Sequence, residues 1–250
     1  MKKKFLIIGV LSVLVITGLI GVLNQETYAE GTNNAEQSIR LAGQYIKNNP
    51  ELLSASITAL SSKIIDQTKV VASVDELPIT VEEIQFRKGL REVAGAKNAD
   101  DKSVFNALVE EKLILSYAIN NNLLPTKSEI DSFIEDGKSL YNQDATYKKI
   151  TDAFCSAANM SIDEYWNTYE YYNAFRIITF KKAQDNAIET GIEKGDLSPL
   201  TANELKYQEE ARYDDYWKKI KKELKEKSSV TINKQDADSQ FNIDTSKLYL

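Results

Sequence analysis

Four segments of this 250-residue chain carry the same reciprocal signature of a helix start: Thr80-Val-Glu-Glu83, Thr126-Lys-Ser-Glu129, Ser161-Ile-Asp-Glu164 and Thr201-Ala-Asn-Glu204. In each, the hydroxyl can accept from the third helical N–H while the glutamate reaches back, satisfying donors that a helix start leaves without partners. The prolines agree. Pro50, Pro78, Pro125 and Pro199 all fall at boundaries, and none interrupts an apolar helical pattern. A chain punctuated in this way builds its body from helices.

Between these marks the sequence predicts a short pair of helices over 34–48 and 50–67, with Asn49 capping the second and Pro50 in its first turn. The stretch 70–79 is β-prone on both sides of a turn and reads as a small hairpin. Helices follow over 81–93 and 103–120. The second of these carries Val104, Phe105, Leu108, Val109, Leu113, Leu115 and Ala118 on more than one face, so burial on both sides is expected. A helix starting at Thr126 carries Ile130, Phe133, Ile134 and Leu140, and a shorter one spans 147–158. Two long helices, 162–188 and 202–227, are joined by "TGIEKGDLSPLT", read as a loop, and Val230-Thr-Ile-Asn233 is again β-prone. The fold class is all-α: a multi-helix domain with two long helices and minor β pairing near 71–79 and 230–233. The β-prone pieces flank the helical body and are expected to pair, tying its beginning to its end.

The N-terminus, Lys2-Lys3-Lys4 ahead of an unbroken apolar run from Phe5 to Leu23, reads as an export signal. The run approaches the ~20 residues that span a bilayer, yet Thr27-Tyr28-Ala29 is a small-x-small cleavage site, so removal near Ala29 and retention as an anchor both stay open. Either way the rest is expected outside the cytoplasm. Setting aside Lys2, Lys3, Lys4 and Glu26 leaves 28 basic against 36 acidic side chains, a net charge of −8. No basic stretch is interleaved with aromatics in the manner of a nucleic-acid surface, so nucleic acid is not an expected partner. Cys155 is the only cysteine, so stability has to come from a core rather than a disulfide. The chain has no histidine, which removes Ser-His-Asp and Cys-His sites and histidine-containing zinc sites. With no phosphate-cradling Gly-rich loop, the reading is of a non-enzyme without metal or other cofactor.

Three motifs occur in order. Val71-Ala-Ser-Val74 and Pro78-Ile79-Thr80 lead into Glu82-Glu83-Ile84; Leu108-Val-Glu-Glu-Lys-Leu-Ile114 precedes Asn122-Leu-Leu-Pro-Thr-Lys-Ser-Glu129; Met160-Ser-Ile-Asp-Glu-Tyr-Trp166 opens a long helix. Over about 70–233 this resembles the SurA N-terminal-type chaperone domain, found also around the parvulin domain of PrsA-type foldases. The chain departs from that family in two places. Asp75-Glu76 replaces the usual Asn-Gly of the hairpin turn, and only a loop around Gly191–Pro199 stands where foldases carry the parvulin domain. The resemblance therefore implies a chaperone module without prolyl isomerase activity. The expected organisation is a signal peptide or anchor at 1–29, a helical extension at 30–69, the chaperone-like domain at 70–233 and a polar tail at 234–250.

The candidate binding surface is aromatic. One long helix carries Tyr165, Trp166, Tyr169, Tyr171, Tyr172 and Phe175, the other Tyr207, Tyr213, Tyr216 and Trp217. A stripe at helical spacing packs two helices together; the same side chains on a surface line a groove for unfolded segments. These aromatics outnumber what one core stripe holds. Tyr165, Trp166, Tyr169, Tyr172, Tyr213 and Trp217 are thus the candidate client-binding residues. The basic run Lys218–Lys227, with its interleaved glutamates, reads as a solvated face at a helix C-terminus. Two function classes follow: an extracytoplasmic holdase for exported, incompletely folded polypeptides, or an envelope or surface adaptor using the fold for one folded partner. The membrane is contacted only through residues 5–23, if they are retained.

Overall fold

The computed structural model describes residues 32–61, 69–199 and 206–233. The apolar run at 5–23, the fourth capping box at 201–204 and the tail at 234–250 lie outside the described residues. The chain order is α1 (Thr32–Asn48), α2 (Pro50–Ser61), β1 (Val70–Val74), β2 (Leu77–Thr80), α3 (Val81–Val93), α4 (Asp101–Asn120), α5 (Lys127–Gln143) and α6 (Ala145–Ala158). Then comes α7, made of Ile162–Glu164, a π-helical stretch Tyr165–Tyr169 and Glu170–Lys194, followed by α8 (Lys206–Lys227) and β3 (Val230–Ile232). This is an all-α body with a small antiparallel sheet.

The helix starts form as their side chains dictate. Thr80 with Glu83, Thr126 with Glu129 and Ser161 with Glu164 each make both bonds of a capping box. Two further starts come earlier than the sequence predicts, because aspartates cap them. Asp100 Oδ1 accepts from the Ser103 N–H at 2.9 Å, opening α4 at Asp101. Asp144 Oδ1 accepts from the Thr146 and Tyr147 N–H groups at 2.8 and 2.9 Å, opening α6 at Ala145. Asn49 sits between α1 and α2 and donates its side-chain amide to the Tyr45 carbonyl at 2.8 Å.

The sheet has the order β2-β1-β3. Ala72, Ser73 and Val74 of β1 face Ile232, Thr231 and Val230 of β3, so the first strand of the domain does pair with its last. The hairpin turn manages without glycine. Asp75 takes a left-handed φ of 54°, which an aspartate tolerates better than most residues. Tertiary contacts fix it there: its N–H donates to the Ser229 carbonyl at 2.7 Å, and its carboxylate accepts from the Ser229 N–H at 3.0 Å and from the Ser116 hydroxyl on α4. One residue thus joins the turn, α4 and the α8–β3 junction.

Val71, Val74, Ile79, Ile84, Val104 and Phe105, all 0 % exposed, build a core between the sheet, α3 and α4. Each such side chain contributes about 1.5–3 kcal/mol by leaving water. A larger core joins α1, α2, α3, α5, α6 and the start of α7. It contains Ile39, Ala42, Ile46 and Leu53, so the boundary drawn at 69/70 is not a packing boundary: α1 and α2 are integral. Close approach confirms it. A Cβ on Gly43 would lie 2.8 Å from the Phe154 carbonyl oxygen, and Tyr45 lies over Gly89 while its hydroxyl donates to the Gln85 carbonyl at 3.0 Å.

The first long helix extends into the stretch read as a loop. Helix α7 runs on through Thr190-Gly-Ile-Glu-Lys194 and stops only where Gly195 adopts a φ of 77° and returns its N–H to the last turn. Gly191, read as part of a loop, is a packing position. Tyr216 of α8 lies so close that a Cβ there would stand 2.5 Å from the ring.

Candidate functional site

The structure separates the six candidate aromatics. Tyr165, Trp166, Tyr169 and Tyr172 are 0, 4, 1 and 5 % exposed, and all four belong to the large core. Tyr165 packs edge-on to Trp166 with ring centroids 4.8 Å apart, Tyr169 lies 4.7 Å from Phe154 of α6, and Trp166 meets Tyr141 of α5 edge-on at 6.0 Å. As packed here, none of the four presents a surface to solvent. The physical reason is that this stripe faces α5 and α6: Gly137 leaves room for the Trp166 ring, and Phe154 packs on Tyr165 and Tyr169. Tyr165–Tyr169 is a π-helical stretch, closed by the Glu170 N–H bonded to the Tyr165 carbonyl.

Tyr213 and Trp217 stand differently, both half-buried. Trp217 packs with Tyr117, Leu123 and Phe180 over a small floor of Ile114, Ala118 and Ala183. This cluster draws on α4, the loop after it, α7 and α8. Among the described residues it is the least covered apolar cluster, since every aromatic in it keeps some exposure. Tyr117 donates to Asn186 Oδ1 at 2.7 Å, and burial together with the neighbouring Tyr216 pushes its hydroxyl pKa up. Leu124 lies in the same loop as Leu123 and is 39 % exposed. The Arg212 guanidinium lies 5.6 Å from the Tyr213 ring centroid. Tyr207 has a side chain outside the described residues.

Four lysines of the basic run of α8 make ion pairs: Lys218 with Asp215 at 2.9 Å, Lys219 and Lys227 with Glu223 at 3.8 and 3.4 Å, and Lys221 with Glu110 of α4 at 2.6 Å. Cys155 is buried, and burial followed by the nearby Asp152 charge pushes its thiol up to about 11, so it packs as an inert residue.

Two polar sites in the interior were not foreseen. Glu111 binds Arg176 through two bonds of 2.6 and 2.8 Å and Arg87 at 3.1 Å, with all three residues buried. Beside it, Lys112 reaches Glu83 at 2.8 Å, so the glutamate of the first capping box also pairs across to α4. Burial alone would push the Glu111 carboxyl up, but Arg176 and Arg87 outweigh it and hold the group down at about 2. A signal was present in the sequence: Glu111-Lys112 lies between Leu108-Val109 and Leu113-Ile114, where charges can persist only if paired. The second site is Glu170, 2 % exposed, which accepts a bond of 3.0 Å from the Tyr165 hydroxyl. Burial pushes its carboxyl up to about 7, and Tyr165 and Asn173 draw it back only in part. No flanking pattern announced it.

Among the described residues no three Cys, Asp or Glu side chains converge as a metal site, and no helix is long and apolar enough to cross a membrane. No family model, curated protein or solved structure matches the chain.

Proposed function

We propose that this chain is an extracytoplasmic polypeptide-binding holdase, without prolyl isomerase or other enzymatic activity, whose contact surface is the α4–α7–α8 face around Trp217. The observation that carries the reading is the partly covered cluster of Trp217, Phe180, Tyr117 and Leu123 over the small floor of Ile114, Ala118 and Ala183. Half-buried aromatics offer an unfolded segment a large apolar area at little conformational cost, with polar tips that remain in water. The motifs behind the resemblance support it from another side. The hairpin runs into the capped α3, and Glu83 and Lys112, one from each of the first two motifs, are ion-paired to each other. Placement outside the cytoplasm rests on the lysine-preceded apolar run at 5–23.

The burial of Tyr165, Trp166, Tyr169 and Tyr172 leaves a smaller apolar surface than the sequence implies, which favours a second reading: an adaptor for one folded partner. One experiment separates them. Several unrelated unfolded proteins are diluted from denaturant with and without the chain. The holdase reading expects aggregation of each to be suppressed, and Trp217→Ala and Tyr213→Ala to weaken suppression several-fold with helical content unchanged. Protection of none of them, or suppression indifferent to Trp217, overturns the holdase. Capture of a single folded partner through the same face then establishes the adaptor.

A further inference from the structure

Glu170 occupies a position that asks for a proton. It closes the π-helical stretch with its own N–H, and its carboxylate is enclosed in the aromatic core of α5, α6 and α7. The polar groups facing it are the hydroxyls of Tyr165 and Tyr169 and the amide of Asn173 on its own helix, with Tyr147 of α6 beside Tyr165. Helices α1 and α5 bring apolar side chains, among them Ile39, Ile46, Ile130 and Ile134. The charges of α3 and α4 point elsewhere: Arg87 and Glu111 pair with each other, and Arg176, on the same helix as Glu170, is bound to Glu111. Asn173, 0 % exposed and one turn beyond Glu170, is close enough to favour its charged form, yet neither Oδ1 nor Nδ2 makes a well-formed hydrogen bond. Buried polar atoms are rarely left so. A protonated Glu170 has one O–H to give, and the Asn173 Oδ1 is an acceptor for it, while the other carboxyl oxygen keeps the bond from Tyr165. Ionised, the same side chain can accept from the Asn173 Nδ2–H but leaves Oδ1 without a donor and places a charge with no cation beside it among aromatic rings.

We propose that Glu170 is a proton-operated latch on the first turns of α7. Its neutral form completes the hydrogen bonds of the π-helical stretch and holds residues 165–173 against α5 and α6; its ionised form loosens them. The inference goes beyond the polypeptide-binding reading and does not rest on it. The raised carboxyl pKa near 7, against an ordinary value of 4.5, places the transition. Because the folded value is the higher one, the closed state has its full advantage below pH 4.5 and loses it as the pH rises through about 7.

The test uses the full-length protein labelled with ¹³C at glutamate carboxyls. One carboxyl resonance is expected to titrate near neutrality and to be missing in Glu170→Gln. The opening equilibrium of residues 165–173, from amide exchange corrected for intrinsic rates, is expected to rise roughly 50- to 100-fold from pH 5 to pH 8. It should stay flat in Glu170→Gln. Tyr165→Phe removes a donor to the charged form and should move the carboxyl midpoint to higher pH; it carries the test if Glu170→Gln does not fold. All glutamates titrating below pH 6, an opening that persists unchanged in Glu170→Gln, or an unmoved midpoint in Tyr165→Phe would each overturn the latch.

Discussion

Glu111 and Glu170 are the same side chain at similar depth, 7 and 2 % exposed, and their surroundings send them in opposite directions. Burial pushes both toward the neutral form. Glu111 has two guanidiniums within hydrogen-bonding distance, so it stays charged and fastens α3, α4 and α7 to one another. Glu170 has tyrosine hydroxyls and an amide, which cannot supply the missing charge, so the neutral form is favoured. Burial does not decide a carboxylate's state; the availability of a cation does. One region of the interior is held by charge, the other by rings that tolerate no charge.

The comparison can be broken most severely at Glu111. Glu111→Ala leaves Arg87 and Arg176 buried without their counter-charge, and urea denaturation at pH 7 is expected to show a loss of about 3–5 kcal/mol. The same residue contributes to the acid limb of stability. Its depressed value means that its contribution is present above pH 4.5 and is lost as the pH falls toward about 2, so the acid fall should be shallower in Glu111→Ala.

Glu170→Gln sharpens the contrast by changing sign. At pH 8 the variant is expected to be more stable than the parent by up to about 3 kcal/mol, and the gain should vanish below pH 4.5, as measured by urea midpoints across pH. A variant that is destabilised equally at both pH values would place Glu170 with Glu111, as a charge the fold needs.

Arg87→Met removes the single bond of 3.1 Å and leaves the two-bond pairing of Glu111 with Arg176. The expected loss is smaller, about 2 kcal/mol by the same assay. The smallest effect is that of Tyr165→Phe, about 1 kcal/mol at pH 5 and greater at pH 8, where the lost bond is to a charged acceptor. Equal losses at the two pH values would show that Glu170 does not change its charge between them.

Much of the fold was legible because it is local. The capping boxes at Thr80, Thr126 and Ser161 involve residues three apart, and the boundaries they set were read from sequence. Where boundaries moved, a second local device was at work: Asp100 and Asp144 as caps, and Gly195 as the true end of α7. The pairing of β1 with β3 was also legible, since two short β-prone runs in a helical chain have few partners to choose from.

The site was less legible. Period and composition placed Tyr165, Tyr169 and Tyr172 on one stripe but not on a side of the molecule, because an apolar stripe looks the same whether it faces a groove or a neighbouring helix. Trp217 is half-buried and Trp166 buried for reasons that lie in other helices: the floor of Ile114, Ala118 and Ala183 in one case, Tyr141 and Gly137 of α5 in the other.

What the sequence by itself determined is the punctuation, the all-α character, the pairing of β1 with β3 and the absence of histidine. All of these depend on residue type and near neighbours. The tertiary structure alone decided the rest: that α1 and α2 belong to the core, that Asp75 replaces a turn glycine by bonding Ser229 and Ser116, and that Glu111 keeps its charge while Glu170 favours a proton. These depend on which side chains meet across distances of tens of residues, and an electrostatic or packing energy is a property of the pair, which neither residue carries alone.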